Sequence, residues 1–124
     1  MPATREIPPP LELDCLRVLW SLGDGNASRV RAALAGERTL AYTTVLTLLE
    51  RLTKRGLLTR RKAGRSFIYT PIRGREEMRQ VAVREIVALY FDGERESLLA
   101  WLQGLAAAPA GEMSEERTLD ATLL

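Results

Sequence analysis

Residues 39–71 constrain the fold of this 124-residue chain more than any other stretch. Ala41, Val45, Leu48, Leu49 and Leu52 recur at helical spacing. Thr43, Thr47, Glu50 and Lys54 lie opposite them, with Leu40, Thr44 and Arg51 on the shoulder. Thr39 is the expected N-cap, its hydroxyl accepting from a free N–H of the first turn. Gly56 is the expected stop, supplying the left-handed residue that closes a helix. Leu57–Arg61 and Ser66–Thr70 then read as strands, because Phe67, Ile68 and Tyr69 favour sheets and Pro71 stops the second. Lys62-Ala-Gly-Arg65 is the expected turn, with Gly64 at positive φ.

The flanks read as helices. Pro8-Pro-Pro10 stops any earlier helix. From Leu11 to Leu22, Cys15, Leu16, Leu19 and Trp20 form an apolar face, and Gly23-Asp24-Gly25 ends it. Asn26-Ala27 reads as a short strand. Ser28 is the expected cap of a second helix, with Val30, Ala33 and Leu34 inward and Gly36 at its end. A longer helix runs from about Gly74 to Phe91. Its stripe is Met78, Val81, Ala82, Ile86, Leu89 and Tyr90, widened by Val83 and Val87. Asp92-Gly93 breaks it. Glu94–Leu105 is a further short helix carrying Leu98, Leu99, Trp101, Leu102 and Leu105.

The expected class is therefore mainly α with a small β-hairpin: a winged helix-turn-helix followed by a C-terminal helical region. Residues 1–10 read as a flexible arm, 11–73 as the winged domain, 74–105 as a helical dimerisation region, and 106–124 as an acidic, disordered tail.

Charge gives this order a purpose. Residues 1–38 are neutral, 39–75 carry a net +8 with Glu50 as the single acid, and 76–124 carry −6. A basic middle between neutral and acidic flanks is a footprint for a polyanion. A winged helix presents one helix to the major groove and its hairpin to the backbone. Tyr42, Thr43, Thr44, Thr47 and Arg51 are thus the expected helix contacts with DNA. Hydroxyls can bond base edges and methyls can touch thymine. The Tyr42 phenol can donate to a phosphate or pack on the second helix. Lys62 and Arg65 are the expected phosphate clamps. Arg60 and Arg61 alternate along their strand, so that one of them faces DNA.

Other functions are disfavoured. With no His and a single Cys, a Cys/His zinc site and histidine acid-base catalysis are excluded. No cofactor and no enzymatic activity are expected. Glu12, Asp14 and Glu50 read as solvated helix-face carboxylates, Cys15 as a small buried hydrophobe, and Trp20 as core. No apolar run approaches the ~20 residues of a membrane span, and no signal peptide is visible, so a cytoplasmic protein is expected.

The last two helices carry more apolar surface than a lone pair can bury. Ile86, Leu89, Tyr90, Leu98, Leu99, Trp101 and Leu102 are the expected homodimer contacts, which suits a two-fold DNA site. Two rival readings stay open. One is a winged-helix regulator that senses an aromatic ligand between Tyr90, Phe91 and Trp101. The other is a protein-interaction module that binds no DNA.

Over residues 11–73 the chain resembles the BlaI/MecI type of penicillinase and methicillin-resistance repressors, with the copper-responsive CopY repressors as relatives. Leu16-Arg-Val-Leu-Trp20 is similar to that family's first helix. Ala41-Tyr-Thr-Thr-Val45, with Thr47, Leu49, Arg51-Leu52, Lys54 and Gly56-Leu57, is similar to its recognition helix. Gly64-Arg65 and Tyr69-Thr-Pro71 are similar to its wing. The resemblance implies a dimeric repressor of an inverted-repeat operator. It also implies, for many members, release when a membrane-bound β-lactam sensor triggers proteolysis. The copper branch's C-terminal cysteine cluster is absent here. The outward position often basic in the family is Leu46.

Overall fold

The structure, a computed structural model, describes residues 7–107. Most of the expected arm and nearly all of the expected tail lie outside them. The element order is α1 (Pro10–Leu22), α2 (Ala27–Leu34), α3 (Tyr42–Lys54), β1 (Leu58–Ala63), β2 (Ser66–Pro71), α4 (Arg75–Tyr90) and α5 (Arg95–Ala107). This is the expected mainly helical chain with one antiparallel hairpin.

The first helix starts at Pro10, where a missing N–H costs nothing and φ is preset. Its stop is Gly23 at φ +91, whose N–H donates to the Leu19 carbonyl at 2.7 Å. The second helix begins earlier than the Ser28 cap predicts. Asn26 is extended, and its Oδ1 accepts from the Arg29 N–H at 2.9 Å. Ser28 therefore lies inside α2, and Asn26-Ala27 is no strand. The strand-like residue is Gly25, which exchanges both backbone bonds with Tyr69 at 3.1 and 2.9 Å. Ala35, rather than Gly36, caps the far end.

The third helix is entered at Ala41, and no side chain caps it. Thr39 stays outside because the approach is held by another group: Arg31 Nε donates to the Leu40 carbonyl at 2.9 Å. The exit matches expectation. Gly56 has φ +81, its N–H donates to Thr53 O at 3.0 Å, and Leu57 N–H donates to Leu52 O at 3.0 Å. That pair of bonds is the Schellman closure.

The hairpin is tighter than expected. Register runs from Leu58↔Pro71 to Ala63↔Ser66, leaving Gly64 and Arg65 as a two-residue turn, with Gly64 at φ +65. Lys62 is a strand residue opposite Phe67, and Pro71 is the last paired residue rather than the stop.

The described residues form two compact units, divided between Ala82 and Val83. The first buries Cys15, Leu16, Leu19, Val30, Val45, Leu49, Leu52, Leu58 and Tyr69 in one core, with Met78 of the first turn of α4 beside them. Trp20 is half-buried, not fully core, because its indole N–H donates to the Arg73 carbonyl at 2.9 Å and Arg75 lies over the ring. Glu12 departs furthest from the solvated reading. It is 4% exposed and accepts from Arg55 Nε at 2.7 Å. Asp14 is likewise largely covered and pairs with Arg38 at 2.7 Å and Arg17 at 3.3 Å.

In the second unit, Asp92 at φ +54 and Gly93 at φ +80 make the break between α4 and α5. Val87 is buried, and the Phe91 and Trp101 rings meet at 5.8 Å.

Candidate nucleic-acid interface

The candidate surface begins with burial on α3. Val45, Leu48, Leu49 and Leu52 are buried, which turns Thr43, Thr47, Glu50 and Lys54 to solvent by helical geometry. Tyr42, Thr44 and Arg51 are exposed beside them. Tyr42 is 40% exposed. Leu46 is half-buried and packs against the core, so it is not a free outward position.

One polar group on this face is already committed. Thr47 Oγ1 donates to the Thr43 carbonyl at 3.0 Å. Its hydroxyl proton is thus spent within the helix, leaving the methyl and the oxygen's acceptor capacity for a partner. The first turn of α3 has no capping side chain, so its backbone N–H groups add a positive end to the same surface.

The hairpin follows directly in the same unit. Arg61, Lys62, Gly64 and Arg65 are exposed at and near its tip. Arg60 behaves differently. Its guanidinium lies 4.3 Å from the Phe67 ring centroid and its Nη1 is 3.7 Å from Glu50 Oε2. Arg60 is held toward α3, and Arg61 is the strand arginine left outward. Tyr69 stands opposite Arg60 in the register. Burial pushes its phenol pKa up, and the Arg60 guanidinium draws it partly back.

The seven expected DNA contacts therefore lie in one compact unit: five on α3, Lys62 on β1 and Arg65 in the turn. Sequence reasoning missed the Arg31 brace on Leu40 and the Arg60–Phe67–Glu50 cluster. Lys54 is exposed on the same outward stripe.

The expected dimer contacts all lie in the second unit. Ile86, Leu89, Tyr90, Leu99, Trp101 and Leu102 are exposed by 41–76%, and Leu98 is half-buried. Phe91 and Trp101 pack on each other. Among the described residues, no helix is long and apolar enough to cross a membrane.

The penicillinase repressor family profile matches residues 9–117. The chain belongs to that family. As one of its members it is 41% identical over 69 residues to the transcriptional regulator BlaI of Mycobacterium tuberculosis, a match covering 55% of this chain and 50% of the relative. It is 30% identical over 88 residues to the penicillinase repressor of Bacillus licheniformis, covering 71% of this chain and 69% of that one. The chain thus spans half the length of the mycobacterial relative it matches. The solution structure of the DNA-binding domain of the repressor BlaI superposes with a TM-score of 0.52 and 32% identity, covering 62% of this chain and 93% of that domain.

Proposed function

We propose that this chain is a sequence-specific, DNA-binding transcriptional repressor that acts as a homodimer on an inverted-repeat operator. One observation carries the reading: the exposed threonine face of α3 and the basic hairpin tip belong to the same compact unit. Thr43, Thr44 and Thr47 meet base edges in the major groove, while Tyr42 and Arg51 position the helix. Lys62 and Arg65 hold backbone phosphates. A carbonyl–hydroxyl bond within the helix leaves the Thr47 methyl as its reading group, suited to thymine.

The second unit supplies the dimer. Fully burying one large apolar side chain contributes about 1.5–3 kcal/mol. Ile86, Leu89, Leu99, Trp101 and Leu102 together could thus offset the cost of association. The protein is not an enzyme and acts in the cytoplasm, where its DNA is. The names of its relatives, penicillinase repressor and BlaI, support a β-lactam-responsive system. In it, a membrane-bound sensor protease would end repression.

The test is enrichment of duplexes from a random pool, followed by titration of the winner and a scrambled duplex at several salt concentrations. An inverted repeat should emerge, bound at least ~1000-fold more tightly than the scrambled duplex. A protein that enriches no sequence and shows no salt-dependent duplex affinity contradicts the proposal.

A further inference from the structure

Glu50 is anomalous on a surface that meets DNA. It is the single acid among residues 39–75, and it stands on the outward stripe of α3, one helical turn beyond Thr47. A carboxylate there repels phosphates. It is tolerated at a DNA interface when it meets a hydrogen-bond donor, and in the major groove the donors are the exocyclic amines of cytosine and adenine. Adenine sets its N7 acceptor beside that amine, which a second carboxylate oxygen would oppose. Cytosine presents the amine alone.

The surroundings of Glu50 leave it available for such a bond. Its side chain is 50% exposed, and Arg60 stands 3.7 Å away, outside hydrogen-bond distance. At that distance Arg60 is an ion-pair partner of Glu50, and its guanidinium also lies over the Phe67 ring at 4.3 Å. The cross-strand neighbour of Arg60, Tyr69, is buried at 1% exposure. The carboxylate is thus drawn toward the Arg60 guanidinium while half of its side-chain surface stays accessible.

We propose that Glu50 is a specificity-determining residue that accepts a hydrogen bond from a cytosine amine, with Arg60 as the positioning residue that orients it. This rests on the DNA-binding reading above. Glu50 selects in two ways: it bonds to cytosine and it repels sites that offer only acceptors, guanine above all. It also weakens binding to arbitrary DNA.

The experiment is duplex enrichment from a random pool with full-length wild type, Glu50→Gln, Glu50→Ala and Arg60→Ala, each checked for a native circular dichroism spectrum. The wild type should show a cytosine preference of about 5- to 100-fold at one base pair per half-site. Glu50→Ala should erase it there, keep the preferences set by Thr43 and Thr47, and tighten binding to scrambled DNA. Glu50→Gln, isosteric and able to donate and accept, should move the preference toward adenine. Arg60→Ala should blur the same base pair. An unchanged enrichment profile in both Glu50 variants overturns the assignment. So does an even loss of affinity across all sequences, which would make Glu50 a brace between helix and hairpin. If the wild type itself enriches nothing, the DNA-binding reading falls first and this one with it.

Discussion

Arg55 Nε donates to Glu12 Oε1 at 2.7 Å, across 43 residues of sequence. The bond ties the C-terminal end of α3 to the start of α1 over a carboxylate whose side chain is 5% exposed. Arg55→Ala strands that carboxylate without its cation. A fully buried pair would lose about 3–5 kcal/mol, and the one-third exposure of Arg55 lowers the expected loss to about 1–3 kcal/mol. Glu12→Leu removes the charge and fills the space with carbon, so it should cost less than Arg55→Ala. Urea midpoints at fixed slope give both numbers. Equal or reversed costs would remove Glu12 from the buried framework.

Cys15 predicts a pH dependence. Burial first, then the Asp14 and Glu12 carboxylates, push its thiol from an ordinary 9.0 to about 11. The folded state holds this proton more tightly than the unfolded state. The contribution is therefore complete below pH 9 and lost as pH rises toward 11, a total of about 2–3 kcal/mol. Cys15→Ala should flatten that part of the alkaline fall, read as urea midpoints from pH 7 to 10.5. The native thiol should also resist alkylation at pH 8 and react on unfolding.

The exposed apolar face of the second unit predicts self-association. Leu99 and Leu102 are 56% and 47% exposed on α5. Leu102→Asp would set an unpaired charge in the proposed interface. Light scattering should report dimers for wild type and monomers for this variant, with weaker binding to a two-fold operator. A wild type that stays monomeric at high concentration rules the interface out.

Thr47 predicts a distinction between methyl and hydroxyl. Its hydroxyl already donates to the Thr43 carbonyl at 3.0 Å. Thr47→Val should therefore keep sequence discrimination within about 3-fold, whereas Thr47→Ala should lose about 1–3 kcal/mol of it. Operator and scrambled duplexes titrated side by side decide this. Equal losses in both variants would mean that the oxygen, not the methyl, meets the base.

These relationships mark where sequence reading succeeds and stops. The α3 stripe and its Gly56 stop are local periodicity and local φ, so Val45, Leu49 and Leu52 announce them. The gross order of helices and hairpin follows for the same reason. Caps are not legible locally because tertiary partners choose among near-equal candidates. Gly25 bonds to Tyr69, which makes Asn26 rather than Ser28 the cap, and Arg31 holds Leu40 outside α3. The burial of Glu12 needs an arginine 43 residues away, which no local pattern reveals. On the candidate site, the outward threonines are legible from spacing. The Arg60–Glu50 approach is not, because it depends on the hairpin's register and on stacking against Phe67.

In the proposed complex α3 reads sequence while the hairpin holds the backbone. Parallel titrations of Arg65→Ala and Thr43→Ala on operator and scrambled duplex, over several salt concentrations, separate the two roles. Arg65 sits exposed in the two-residue turn, where a charge could reach a phosphate without a fixed line to a base. Arg65→Ala should weaken both duplexes alike and reduce the salt slope by about one. Thr43→Ala should leave the slope unchanged and cost about 1–3 kcal/mol on the operator alone. If Thr43→Ala leaves the specificity ratio untouched while Arg65→Ala alters it, the roles of helix and hairpin are reversed and the account is wrong.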